Sequence, residues 1–161
     1  MNKIMKGIVD AVYGVQRVAT RYQLAHPTEK AVASDACKAI STDTDAAISY
    51  GTAWLTARRA VLLLTTHKLV CGNWEIPLEA VASAQLLKIP ATLGSGQVLK
   101  VATITGRNYQ FGMQFNPTWA LQQVLPMTLE KGHVRYSLFS TLVRISMMVY
   151  LLFWLYKHLL S

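Results

Sequence analysis

The longest apolar run lies at the C-terminal end of the chain. Residues 138–156 contain a single charged side chain, Arg144, and apolar side chains occupy every helical face over residues 145–155. A helix rises ~1.5 Å per residue, so this run would extend ~28 Å, which is close to the hydrocarbon thickness of a bilayer. The pattern predicts a transmembrane helix over residues 137–160. A core helix buried within a larger domain is the alternative.

The N-terminal segment has a different periodicity. Apolar side chains recur at steps of three and four residues, at Ile4, Ile8, Val12, Val15, Ala19 and Tyr22. Basic side chains lie largely on the other face. We therefore predict an amphipathic helix over residues 1–26, ended by Pro27. It would pack on the domain or lie in a membrane interface; a mitochondrial targeting segment is the alternative.

Short alternating segments fill the middle of the chain. The patterns predict strands near residues 46–49, 52–56, 60–66, 68–71, 74–76, 81–89, 98–105 and 109–115. Residues 28–39 are mixed and suggest a short helix. Asn116-Pro117 opens a helix over residues 118–125. We predict an α+β, mainly β fold: a small antiparallel barrel with a C-terminal capping helix. Residues 127–136 would link it to the anchor.

The charge of the chain favours a lipid partner over nucleic acid. The formal net charge is +8, and most of the excess lies toward the two ends of the chain. Basic residues near a membrane surface each contribute about 1 kcal/mol to binding anionic lipid. No basic stripe with interleaved aromatic residues appears in the middle, so we expect no nucleic-acid binding.

Residues that carry catalytic or metal chemistry are sparse. The four histidines are scattered without ligand spacing, and neither Cys37 nor Cys71 belongs to a Cys-x-x-Cys pair. Two buried thiols are favoured over a disulfide. We therefore expect no enzyme activity, no cofactor and no metal site.

Three motifs in the middle of the chain carry a family resemblance. Residues 64–70 read Leu-Thr-Thr-His-Lys-Leu-Val, residues 74–81 read Trp-Glu-Ile-Pro-Leu-Glu-Ala-Val, and a late hairpin ends in Tyr109-Gln110-Phe111 before the helix that holds Trp119. Together they resemble a pleckstrin-homology-like domain of the GRAM or bacterial membrane-anchored kind, over residues 36–126. The resemblance implies a barrel plugged by its last helix, and an adaptor that binds lipids or proteins.

Lipid recognition would fall to a few basic residues. The candidates are Lys38, Arg58 and Arg59, although the basic pattern of the lipid-binding members is not reproduced. Adjacent residues of a strand face opposite sides, so only one of Arg58 and Arg59 could line a pocket. The alternative is that both residues lie at a solvated strand edge. Arg144 would pair with a partner helix or a lipid phosphate, or extend toward the headgroups.

Two functional hypotheses follow. The first is a non-catalytic, membrane-anchored adaptor or accessory subunit that docks onto other integral membrane proteins. The second is a peripheral module that senses lipid headgroups at an anionic membrane surface. The distribution of basic residues around the apolar run would place the domain on the cytoplasmic side, of the bacterial inner membrane by preference and of a mitochondrial membrane otherwise.

Overall fold

The computed structural model describes residues 2–45, 49–50, 54, 56–91, 94–132, 135–136 and 138–159. The chain divides into two compact units. The first comprises Met1–Ala46 with Ala57–His133, and the second comprises Ala47–Thr56 with Val134–Ser161.

The first unit is built on one eight-stranded sheet. Its strands are β1 (Ala31–Thr42), β3 (Arg58–Thr65), β4 (Lys68–Cys71), β5 (Trp74–Pro77), β6 (Val81–Ala91), β7 (Gly94–Thr103), β8 (Asn108–Gln114) and β9 (Thr128–Lys131). The strand β2 (Ser49–Tyr50) belongs to the second unit. The predicted strands at 46–49 and 52–56 fall largely outside the described residues.

The sheet is open, so the predicted barrel is wrong. The strand order is β5-β4-β3-β1-β8-β7-β6-β9, and the two ends, β5 and β9, are not paired with each other. All pairs are antiparallel except β6 with β9. Two local features oppose closure. Strand β5 ends at Pro77, which has no N–H to donate, and β9 occupies the free edge of β6.

The larger hydrophobic core lies on one face of this sheet. It takes buried side chains from every strand of the first unit except β9. Strands near both ends of the strand order contribute side chains to this core, so the sheet curves around it. At its centre lie Phe111 and Trp119, both fully buried, and Leu125 packs beside them.

The helices of the first unit are α1 (Asn2–Tyr13), α2 (Val15–Ala25) and the short α3 (Thr118–Leu121), with a 3-10 turn at Leu78–Ala80. Helix α3 is shorter than predicted, because the backbone turns extended at Gln122. The side chain of Gln122 then binds both the N–H and the carbonyl of Leu125, each at 2.8 Å. This local loop, rather than four more helical residues, carries Leu125 into the core.

The helix suggested for residues 28–39 is wrong, because most of that segment forms β1. Its alanines favour a helix locally. In the fold, however, β1 lies between β3 and β8 with both faces covered, where small side chains permit close packing. Ala33 and Ala39 are buried toward the core, while Ala36 is buried toward the helices. Tertiary packing therefore outweighs local propensity here.

The second unit contains β2, β10 (Arg135–Tyr136) and helix α4 (Leu138–Leu159). Strands β2 and β10 pair in parallel. Among the described residues, no helix is long and apolar enough to cross a membrane. The predicted transmembrane anchor and the single-pass membrane location are therefore wrong. In sequence terms, Arg144 and Ser146 interrupt the apolar run, and an arginine inside a span costs about 2.5–3.5 kcal/mol.

Candidate functional site

Helices α1 and α2 cover the outer face of β1 and β3, the face opposite the core. Val15 is the centre of this contact and packs with Ala36 and Val61, with Val9 and Tyr13 beside it. Gly14 separates the helices with a φ of 62°, in the left-handed region that favours glycine. The segment predicted as one amphipathic helix is thus two helices in the structure. Ile8 and Val12, which belong to the predicted apolar face, are exposed.

A cavity of about 570 Å³ lies between α2 and the strands β3 and β4. We call it the groove. Apolar side chains form most of its surface, with Val61 and Leu63 buried beneath it. The other lining residues are Tyr13, Arg17, Val18, Arg21, Tyr22, Ala25, His26, Arg59, Ala60, Val70 and Gly72. Its volume falls within the ~300–1,000 Å³ typical of small-molecule sites.

Three arginines line this otherwise apolar groove. Arg17 and Arg21 are one helical turn apart on α2, and Arg59 lies near the start of β3. All three are exposed. Within the described part of the chain, none of them has an ion-pair partner, and every salt bridge found there is made by Lys6, Lys68 or Lys100. The groove thus carries concentrated, uncompensated positive charge.

The C-terminal end of α2 is different, because charges there are matched. Lys68 Nζ lies 2.9 Å from Glu75 and 3.7 Å from Glu29, and 5.8 Å from the centre of the Tyr22 ring. The hydrogen bond to Glu75, with the interaction with Tyr22, raises the pKa of Lys68. The Tyr22 hydroxyl donates to Glu29 at 2.8 Å. The Tyr22 and His26 rings stack at 4.3 Å.

The three basic residues proposed from sequence separate in the structure. Arg59 lines the groove, and Lys38 is its direct partner across the β1–β3 pair, so both project from the same face. Lys38 is not among the lining residues of the groove. Arg58 faces the opposite side, where it lies 5.4 Å over the Trp74 ring and donates to Asn73. The structure therefore gives Arg58 a local packing role.

A buried carboxylate joins α1 to the core. Asp35 is 1% exposed and accepts hydrogen bonds from Trp119 Nε1 at 2.7 Å and Asn116 Nδ2 at 2.6 Å. Its other oxygen pairs with Lys6, which also contacts Asp10 at 2.6 Å. Burial alone would lower the pKa of Lys6, but these two carboxylates outweigh it and raise that pKa. This network ties α1, whose Tyr13 lines the groove, to the sheet.

The two cysteines are free and buried, as predicted, with their sulfurs 3.6 Å apart on the core side of the sheet. The contact with Cys71 and burial both raise the pKa of the Cys37 thiol. Over the residues that the structure describes, no group of three or more metal-ligating side chains occurs. The side chain of Arg144 lies outside the described residues, so its predicted contact is not placed.

Sequence comparison brings no relative: the chain matches no protein-family model and no curated protein. The resemblance to pleckstrin-homology-like domains therefore stays a prediction. The groove was missed from sequence because it depends on how α2 lies against β3. The one available signal was the i, i+4 spacing of Arg17 and Arg21, which places both on one side of a helix.

Proposed function

We propose that the protein is a non-catalytic module that binds reversibly to anionic lipid surfaces through the outer side of α1 and α2. The observation that carries this proposal is the mixture of exposed side chains there. Ile8, Val12 and Leu24 are 54%, 77% and 79% exposed, and Arg17 and Arg21, which also line the rim of the groove, are exposed on α2. Exposed apolar and basic side chains together are typical of helices that lie in a membrane interface.

The charge on this surface supports the same proposal. Asp10 is the only carboxylate in α1 and α2, and it is half-buried against Lys6. No acidic side chain of these helices therefore opposes an anionic surface. Each basic residue close to such a surface contributes about 1 kcal/mol, and salt screens that attraction.

We also propose that residues 36–126 belong to the pleckstrin-homology-like class. The support is the pairing of β1 with β8, the last strand before α3, and the complete burial of Trp119 from that helix. The open sheet departs from the barrel that the resemblance implied.

Vesicle flotation of the full chain tests the surface proposal. The expected result is binding to phosphatidylcholine vesicles that contain phosphatidylserine, with loss in high salt. Val12→Asp and Leu24→Asp should each weaken it. Leu121→Asp, at an equally exposed apolar residue of α3, is the control. Equal binding to neutral vesicles, or equal loss in the control, would contradict the proposal.

A specific observation favours a second function, that of an accessory subunit. Helix α4 exposes many large apolar side chains: Leu142, Val143, Ile145, Met147, Met148, Val149, Tyr150, Leu151, Phe153, Trp154 and Tyr156. Large exposed apolar patches commonly mark interaction sites. We propose that a partner protein packs on α4.

Native mass spectrometry of the purified protein tests this second function. A stoichiometric complex that Met148→Lys dissociates supports it. A monomer that is unaffected by Met148→Lys opposes it.

A further inference from the structure

The two ends of the groove differ in charge, and this difference defines what it can hold. At one end, Arg59 lies in the exposed start of β3 and Gly72 follows β4. At the other end lie Tyr22 and His26, next to Glu29, Lys68 and Glu75. An anion near Glu29 and Glu75 would find the local cation, Lys68, already paired with both carboxylates, whereas one near Arg59 would meet unpaired cations and no carboxylate among the described lining residues.

We propose that the groove binds one anionic single-chain amphiphile, with its phosphate or carboxylate head at Arg59 and Arg17 and its hydrocarbon chain over Val61, Leu63 and Val70. The inference rests on the proposed function in one respect, since anionic lipids would be the source of such a molecule. It differs in the kind of contact, because the ligand enters the groove rather than lying against the outer helices.

The arginines fit such a head group for two reasons. Like charges that line one cavity repel each other, and a bound anion relieves that repulsion. A guanidinium also offers a planar fork of donors that matches phosphate and carboxylate oxygens in a bidentate way. The arginines come from two elements, Arg17 and Arg21 from α2 and Arg59 from β3, so they can approach a head group from both walls.

The floor of the groove fits a hydrocarbon chain and not a bare ion. Leu63 is 1% exposed and Val61 is 9% exposed, yet both line the cavity, so its deepest part is apolar. Val18 and Val70 continue this surface on the two walls. A hydrated inorganic anion would gain nothing from this surface, whereas a hydrocarbon chain removes it from water.

Calorimetric titration of the full chain with dodecyl phosphate, below its micelle-forming concentration, tests the inference. The expected result is binding of one molecule per chain, at least tenfold tighter than inorganic phosphate and than a neutral dodecyl glycoside. Arg59→Gln should weaken binding about tenfold, as expected for loss of one charge-assisted contact. Val18→Trp, which fills the groove, should weaken it at least as much.

Matched controls separate the groove from general charge and surface effects. Arg107→Gln removes an exposed cation from the β7–β8 turn, and Leu121→Trp adds an indole at an exposed residue of α3. Both should leave dodecyl phosphate binding unchanged, and thermal unfolding should show every variant folded. Equal affinity for inorganic phosphate or the neutral glycoside, many molecules bound per chain, or an equal effect of Arg107→Gln would each overturn the inference.

Vesicle flotation distinguishes this failure from failure of the surface proposal. If Leu24→Asp abolishes vesicle binding while dodecyl phosphate still binds, the groove and the outer surface are separate sites and the inference stands. If vesicles bind and dodecyl phosphate does not, the inference is overturned and the surface proposal remains.

Discussion

The two faces of β1 and β3 differ in how their charged groups are paired and buried. On the inner face, Trp119 closes the core, and its indole N–H reaches the buried carboxylate of Asp35. On the outer face, α2 covers only part of the sheet and leaves the groove beside it, with Arg17, Arg21 and Arg59 unpaired in the part of the chain that is described.

This difference indicates where the fold is stabilised and where binding is to be sought. A buried polar group costs free energy unless it is hydrogen-bonded, and Asp35 meets that requirement with three donors. The arginines of the groove remain in water and lack such partners. We therefore expect substitutions on the inner face to change stability, and substitutions in the groove to change binding.

The largest effect should come from Trp119→Ala. Trp119 is 0% exposed, so its truncation leaves a cavity and also removes one donor from Asp35. The expected loss in the free energy of unfolding is about 3–5 kcal/mol, measured by urea denaturation. Leu121→Ala, on the exposed side of the same short helix, should change it by no more than about 0.5 kcal/mol. Similar losses for the two variants would refute the inner-face account.

Lys6→Met should come next, because it leaves Asp35 buried without its cation. The expected loss is about 2 kcal/mol, within the range for hydrogen bonds to charged groups. Lys131→Met, on the exposed strand β9, serves as the control and should be almost neutral. No difference between the two variants would show that Lys6 does not fix α1 to the sheet.

The same pair predicts a pH dependence. The pKa of Lys6 is raised in the folded state, so its contribution is fully present below the unfolded value of about 10.4. It is lost as the pH rises through the higher folded value. The stability difference between the wild type and Lys6→Met should therefore shrink in strongly alkaline solution. Comparison of the two proteins removes the effect of other groups that titrate there.

The sequence predicted the late strands well and the first strand badly. Alternation over residues 98–105 and 109–115 indicates β7 and β8, because each has one face in the core. In β1 both faces are covered and small residues prevail, so alternation is weak and the alanines suggest a helix. Whether the sheet closes depends on pairing between distant strands, and no local pattern encodes it.

The candidate site was predicted only in part. Arg59 was named from sequence and lines the groove, but Lys38 does not line it and Arg58 lies on the opposite face. The helix break at Gly14 was also missed. A glycine within a helical pattern is compatible with a continuous helix or with a break, and packing of Val15 on Ala36 and Val61 determines which occurs.

Gly72→Ala should have a smaller effect, at the turn that borders the groove. Gly72 has a φ of 62°, which a side chain disfavours by about 1–2 kcal/mol. The three atoms nearest to an added Cβ all belong to the Arg58 side chain, at 3.6–3.7 Å, which is ordinary contact, so backbone strain and not collision sets the loss. Gly7→Ala is the matched contrast, because an added Cβ at Gly7 would have no atom within 4 Å. Alanine is favoured over glycine inside a helix, so this change should stabilise α1 by about 0.5–1 kcal/mol. Thermal unfolding should move the two variants in opposite directions.

The smallest expected effect is that of Glu29→Gln, at the charge-matched end of the groove. Burial opposes ionisation of Glu29, but hydrogen bonds from Tyr22 and Thr65 and the charge of Lys68 outweigh it and lower its pKa. Its contribution is therefore present above the unfolded value of about 4.3 and lost as the pH falls through the lower folded value. Because solvent screens this partly exposed pair, we expect a loss of only a few tenths of a kcal/mol near neutral pH.

Thermal unfolding of the wild type and Glu29→Gln at neutral and acidic pH checks this expectation. The difference in melting temperature should vanish in acid, where Glu29 is protonated in both the folded and the unfolded chain. Glu79→Gln, at an exposed carboxylate of the 3-10 turn, should show no difference at either pH. If the difference for Glu29→Gln persists in acid, packing rather than charge determines the contribution of Glu29. The contrast with the arginine end of the groove would then have no electrostatic basis.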